Sequence, residues 1–502
     1  MEELRQLVKL LEEQGKGSGG ALLNLTDTTN LETKVYLLIK DQANISEDEI
    51  IQQLYGGSKG SSAFKMLKSR VKRKLYNQLN FLNIDSTITY SKSLVEEIRC
   101  NALLNEALIL DNHEFAHLRE KLTLQALKIA KLAELSSHVV RALEILRLNS
   151  SFRIFDRKRF YELSEEIQKY RQLSAVEEEA RDLYLRIMVE IRVGVKNRID
   201  HAEFIIKGVN KLFAFWQQTN SSPIYSYYYV GKSAALEALG SVTDHIKHLN
   251  DSAQLFYNGK ISPLYFFYHR NQFGLTYAYL KNKQFAEGFD VAEKLKKQLE
   301  LSSINWFAHM ENYFLLATHS HNYGKAKEIL VEVLSNSKLK STPQTAQDRW
   351  YLYYQFYILT TATDLGFTLN YKPLVIMQDK NGYNVWYLIL EFIHVLKSLD
   401  VELITRNVER LRKYVAKHFG AASDPRTRLF LKLLLIAGHE YSNVKTCRRK
   451  SRYLFQKLRQ TPFAGDAYAE VEIIPYEHLW EHVLLSIGSS TQLWKNSVNS
   501  SI

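Results

Sequence analysis

The chain has 502 residues, 46% of them apolar and 24% charged, which excludes wholesale disorder and a collagenous or mucin-like chain. Only 7 prolines and 21 glycines occur, too few for a turn-rich β architecture. Lysine and arginine (66) outnumber aspartate and glutamate (54), a net charge of +12, so an anionic partner is compatible with the chain but not required by it.

Two cysteines, Cys100 and Cys447, form neither a disulfide framework nor a Cys-x-x-Cys site, which points to a reducing compartment. The first fourteen residues, MEELRQLVKLLEEQ, are amphipathic and carry acids, unlike a signal peptide. The longest apolar run, Leu429 to Ala437, is broken by Lys432 and falls short of the ~18 to 20 residues that cross a bilayer. The expectation is a cytoplasmic protein without a membrane segment.

In chain order, a first helix and a flexible Gly15–Gly20 linker occupy 1–20. A small helical module follows over 31–83. It has a helix over Lys34–Lys40, then a capping-box helix from Ser46 with Glu49 three residues on, stopping at Gly56-Gly57. Its third helix, 61–82, places Phe64, Leu67, Val71, Leu75, Leu79 and Leu82 at spacings of 3 and 4, one apolar stripe. Lys65, Lys68 and Lys72 flank that stripe on one side, Arg70 and Lys74 on the other, and Arg73 points away from it. No acid occurs from Ser61 to Ile84. This order of helices resembles the winged helix–turn–helix of bacterial response regulators and related activators. The resemblance implies that Lys65, Lys68, Lys72 and Arg73 contact nucleic acid. The glycine-rich turn of a wing is missing from Ile84 to Tyr90.

From 93 to 460 helix follows helix. Two pairs look alike: one turns at Lys281-Asn-Lys283, the next at His319-Ser-His-Asn322. An aromatic (Phe285, Tyr323) opens each second helix, and a small residue (Gly288, Ala326) follows three positions later. The aromatics are 38 residues apart. This resembles the tetratricopeptide repeat, and it implies an α-solenoid of antiparallel helix pairs. Leu94 to Leu148 is also similar to bacterial helical proteins of this kind, which implies no activity. Residues 461–502 read as a C-terminal cap and polar tail.

His113-Glu-Phe-Ala-His117 matches the zinc-protease motif His-Glu-x-x-His, with Glu134 at a plausible distance for a third ligand. Asp111 with Glu114 reads instead as the cap of a repeat helix. Gly15-x-Gly-x-x-Gly20, Gly56-x-Ser-x-Gly60 and Gly231-Lys-Ser233 each lack the strand or the glycine that their phosphate-loop or nucleophile motifs require. His245 and His248 read as a solvated helix face, and His319 and His321 as turn residues. No cofactor and no metal are expected.

Tyrosines concentrate in Tyr225–Tyr229, Tyr265–Tyr268 and Tyr351–Tyr357, each segment in the first helix of a pair. Tyr227, Tyr228, Tyr265, Tyr268, Tyr353 and Tyr354 are candidates to line a partner groove, with core packing as the alternative. A second basic segment carries Lys445, Arg448, Arg449, Lys450, Arg452, Lys457 and Arg459, without an acid from Tyr441 to Gly465. The sequence therefore points to an all-α, noncatalytic interaction or scaffold protein with a protein or peptide partner, open to homo-oligomerisation. The alternative is a DNA-binding regulator acting through the 61–82 helix, and a zinc hydrolase comes third.

Overall fold

The computed structural model describes residues 1–14, 27, 29–42, 44–56, 61–82, 91–152, 155–192, 201–367, 383–398, 400–418, 425–461 and 472–499. The expected linker at Gly15–Gly20 and the Ile84–Tyr90 stretch lie outside them. The described residues are all-α, with twenty-one α-helices, three short 3₁₀ turns and no strand. They form two compact units, Met1–Ser174 and Ala175–Ile502.

In the first unit, α1 (Glu2–Gln14), α2 (Leu31–Asp41), α3 (Glu47–Tyr55) and α4 (Ser61–Gln78) enclose one core. The apolar stripe of α4 is buried through Phe64, Leu67, Val71 and Leu75, and α1 adds Leu4, Leu7, Val8 and Leu11 to the same core. The α3 helix starts at the expected capping box: the Ser46 hydroxyl accepts from the Glu49 amide at 3.2 Å, and the Glu49 carboxylate accepts from the Ser46 amide at 2.6 Å. It ends at Gly56, whose φ of 71° only glycine adopts at little cost. A second group of helices, α5 (Lys92–Ile109), α6 (Ala116–Leu132), α7 (Ser136–Phe152) and the start of α8 (Arg157–Arg192), packs around a core of its own, Leu104, Ala126, Ala130, Leu143, Leu146 and Ile167.

The second unit takes the rest of α8 and continues with α9 (Ala202–Thr219), α10 (Ser222–Ala238), α11 (Val242–Tyr257), α12 (Tyr268–Lys281), α13 (Phe285–Gln298), α14 (Ile304–His319) and α15 (Tyr323–Leu334). It then runs through α16 (Gln344–Thr361), α17 (Tyr383–Ser398), α18 (Val401–His418), α19 (Pro425–His439), α20 (Val444–Gln460) and α21 (Tyr476–Asn499). Most of its helices pack on their neighbours in the chain, as a helical array requires.

The pairs share a turn. Glu134, Gly240, Lys283 and His321 each adopt a positive φ, between 53° and 72°. The amide after each reaches back five residues: Leu135 to Ala130 O (2.8 Å), Ser241 to Leu236 O (2.9 Å), Gln284 to Tyr279 O (3.0 Å) and Asn322 to Ala317 O (2.8 Å). This is the Schellman pattern, which satisfies the carbonyls at a helix end and reverses the chain within three residues. As the sequence predicts, Phe285 and Tyr323 are the first residues of α13 and α15. The small residue three positions on lies where helices crowd: a Cβ on Gly288 would sit 2.8 Å from Leu316 Cδ2 and 3.3 Å from Tyr279 Cβ. Ala326 is fully buried.

The last helix returns to an earlier turn. Thr318 Oγ1 donates to Ile473 O at 2.8 Å and His319 Nε2 to Glu472 O at 2.5 Å, while the Tyr323 hydroxyl bonds His478 Nδ1 at 2.7 Å. From there α21 sends Leu479, Trp480, Val483 and Ile487 into the core it shares with α17, α19 and α20.

Candidate functional site

The charge of α4 is largely spent inside its own module. Lys68 reaches Glu47 of α3 at 2.5 Å, Lys74 reaches Glu32 of α2 at 2.6 Å, and Lys72 pairs with Glu3 of α1. Arg70 lies 3.4 Å from Glu32. Lys65 and Arg73 are exposed and have no acidic partner among the described residues. The segment is acid-free in sequence but not in space, because the acids arrive from three other helices.

The candidate tyrosines go mainly to packing. Tyr228 is buried against Phe213 (ring centroids 5.0 Å apart) and Tyr353 against Phe314 (5.0 Å, stacked). Buried Tyr354 accepts the Leu365 amide at 2.9 Å on its hydroxyl oxygen and donates to Asp364. Tyr227 is half-buried and stacks on Tyr184 at 5.2 Å. Tyr268 is half-buried beside Phe256 and opens α12. Tyr265 is not helical as expected. Proline at 263 and the Ser262 carbonyl, which accepts the Tyr265 and Phe266 amides at 3.1 Å, fold that stretch into a turn before α12.

The His-Glu-x-x-His segment is split. His113 lies in a 3₁₀ turn ending at Phe115, and α6 starts only at Ala116, so the single helix that would put two ligands on one face is interrupted. The capping expectation is corrected as well. The N-cap residue is Phe115, without a side-chain cap bond, and the Asp111 carboxylate accepts from Arg119 of α6 at 2.6 Å. His117 is exposed, and Glu134 sits in the Schellman turn. Among the described residues no three His, Cys, Asp or Glu side chains are grouped to hold a metal ion. His245 and His248 are buried rather than solvated: α11 turns them inward beside Ile246 and Leu249, and the His248 ring bonds Tyr229 O at 3.2 Å. Burial pushes both imidazoles down, His245 to about 4 and His248 to about 3. His319 likewise ends α14 as a buried residue.

The second basic segment is arranged differently. The α20 helix starts at Asn443, whose side chain accepts the Thr446 amide at 3.0 Å. It buries Cys447, Ser451 and Leu458 against its neighbours. Arg448 pairs with Glu481 (3.3 Å) and Lys450 with Glu440 (2.6 Å). Lys445, Arg449, Arg452, Lys457 and Arg459 are exposed with no acidic partner among the described residues. Positions 445, 449, 452, 456 and 459 follow one another by 4, 3, 4 and 3, so Lys445, Arg449, Arg452, Gln456 and Arg459 form a single row on one face. Tyr453 stands beside the row with 71% of its surface exposed. Like charges at this spacing repel, and it is the buried face of α20 that keeps the helix in place.

No family model matches the sequence, no curated protein matches it, and no solved structure matches the fold. No described helix is long and apolar enough to cross a membrane. The row on α20 offers guanidinium and ammonium donors that meet no acid among the described residues, and it suits a partner that carries repeated negative charge. In the sequence the segment is marked only as a basic stretch. The distinguishing signal is three-dimensional: among the described residues, acids meet four of the six cations on α4 and only two of the seven on α20.

Proposed function

We propose that the chain is a noncatalytic, cytoplasmic helical-repeat protein that binds an anionic partner through the outward face of α20. The observation that carries this reading is the contrast between the two basic helices. Four of the six cations on α4 meet acids of the same module, whereas five of the seven on α20 meet none among the described residues. The tetratricopeptide likeness of the α12–α15 pairs supports the same reading, since such arrays act by presenting surfaces.

Heparin chromatography tests the proposal. Arg449→Gln/Arg452→Gln/Arg459→Gln should elute at clearly lower salt than the unaltered chain. Lys158→Gln/Lys207→Gln/Lys294→Gln removes the same charge from exposed lysines that sit in i,i+4 pairs elsewhere, and should elute close to the unaltered chain. Equal shifts for the two variants would reduce α20 to its share of net charge and remove the proposal.

A further inference from the structure

Resting on that reading, we infer that the anionic partner is a single strand of nucleic acid, held through its phosphates along Lys445, Arg449, Arg452 and Arg459, with Tyr453 as a platform for a base. Three observations favour this occupant. The first is extent: the row covers fourteen residue steps, about 21 Å at the helical rise of ~1.5 Å. That is at most about six nucleotides at the ~3.4 Å rise of a stacked strand and fewer for an extended one, near the lower end of the usual footprint of single-strand binders, ~4 to 16 nucleotides. The second is composition. The exposed face combines arginine and lysine with one exposed aromatic, and it has no aliphatic anchor: the larger apolar residues of α20, Leu454 and Phe455, are turned partly inward and Leu458 is buried. A protein interface draws its energy from apolar anchors buried at its centre, which this face lacks. A strand of phosphates with stackable bases needs only cations and a ring. The third is Tyr453 itself, an aromatic ring left largely in water beside the cations. A duplex would offer it no unstacked base.

Binding of this kind carries little sequence information, so it should be tolerant of sequence and steeply dependent on salt. The inference is tested on the full chain by fluorescence anisotropy with a labelled mixed-sequence single-stranded 12-mer. The same 12-mer as a duplex, a polyglutamate peptide and phosphatidylglycerol vesicles serve as competitors. Arg449→Gln/Arg452→Gln/Arg459→Gln should weaken 12-mer binding at least tenfold. It should also flatten the log–log salt slope by about 2, since each phosphate neutralised on a single strand adds ~0.7 to that slope. Tyr453→Ala should weaken binding about tenfold with the salt slope unchanged, and Tyr453→Phe should restore it. Circular dichroism checks that each variant keeps its helix content.

Unchanged 12-mer affinity in the triple variant would overturn the inference. So would tighter binding of the duplex than of the single strand. Row-dependent binding of polyglutamate or vesicles in preference to the 12-mer would overturn it while leaving the anionic-partner reading intact. If none of the four probes depends on the row, both fall.

Discussion

The carboxylate of Glu472 lies 2.5 Å from Nε of Arg426, 46 residues earlier in the chain, and both side chains are buried. Arg426 also donates to Leu458 O (3.0 Å), Thr461 O (2.7 Å) and Glu477 (2.7 Å), while Glu472 accepts the Tyr476 amide at 2.7 Å. One guanidinium thus ties the end of α20 to the start of α21. Removing one member of a buried pair leaves the other charge without compensation, at about 3 to 5 kcal/mol. Arg426→Ala should lower the stability of the chain by that order in urea unfolding. Lys445→Ala, on the exposed row of the adjacent helix, should change it by less than about 0.5 kcal/mol. Equal effects would mean that the pair does not anchor α21.

Close crossings of helices make a second prediction. A Cβ on Gly438 would collide with Val408 Cγ2 and stand 2.9 Å from Phe392 Cζ, two side chains with little freedom to move aside. Gly438→Ala should destabilise by about 1 to 3 kcal/mol through overpacking. At Gly274 the nearest atom is Leu249 Cδ1 at 3.5 Å, an ordinary van der Waals distance. Gly274→Ala should therefore gain up to ~1 kcal/mol of helix propensity. Thermal melts of the two variants moving in opposite directions would bear this out, and a melting temperature raised by Gly438→Ala would contradict it.

The acid side of the stability profile follows from buried imidazoles. Burial holds His245, His309, His319 and His478 down to about 4 and His248 to about 3, below the ordinary 6.5. The unfolded chain protonates these rings near 6.5 while the fold does not, so stability is full above that pH and drains as pH falls toward 4. Glu311 and Glu472 act in the opposite sense. Burial raises both to about 7, so the fold takes up their protons first and gains stability as pH drops from 7. Five imidazoles outweigh two carboxyls. The urea midpoint should be lower at pH 5 than at pH 7.5, and His309→Gln should lessen the difference. A midpoint that rises on acidification would reverse the assignment.

Much of the architecture is legible in the residues, because local chemistry dictates it. The Ser46–Glu49 capping box, the Gly56 stop, the Phe285 and Tyr323 helix starts and the crowding at Gly288 all depend on a few neighbours in the chain. The shared turn is harder to read, since Glu134, Lys283 and His321 occupy a left-handed conformation that usually signals glycine. The start of α6 is missed because the 3₁₀ turn His113–Phe115 intervenes, while the Asp111 carboxylate accepts from Arg119 inside the helix. The inward histidines of α11 are missed because a polar ring on an amphipathic helix can face either way until the neighbouring helix supplies its acceptor, here Tyr229 O. The surroundings of the candidate site escape the sequence for the same kind of reason. Whether a basic helix is bare depends on Glu3, Glu32 and Glu47, and no count along 61–82 contains them.

That last point separates the two basic helices experimentally. If α4 read a major groove, replacing Lys65, Lys68, Lys72 and Arg73 would weaken binding to every duplex and flatten its salt slope. In the fold, Lys68 and Lys72 already face Glu47 and Glu3. A phosphate could recruit them only by displacing those carboxylates, which leaves Lys65 and Arg73 as the cations on offer. The variant Lys65→Gln/Lys68→Gln/Lys72→Gln/Arg73→Gln should therefore keep its affinity for the single-stranded 12-mer within about threefold of the unaltered chain, and bind duplex no more weakly than before. The α20 triple variant removes one charge fewer and should weaken 12-mer binding at least tenfold. Measured side by side at one salt concentration, the two variants differ little in net charge, so a difference in affinity reports where the strand lies. A larger effect from the α4 variant would move the nucleic-acid site to the first unit and restore the groove-reading role for its basic helix.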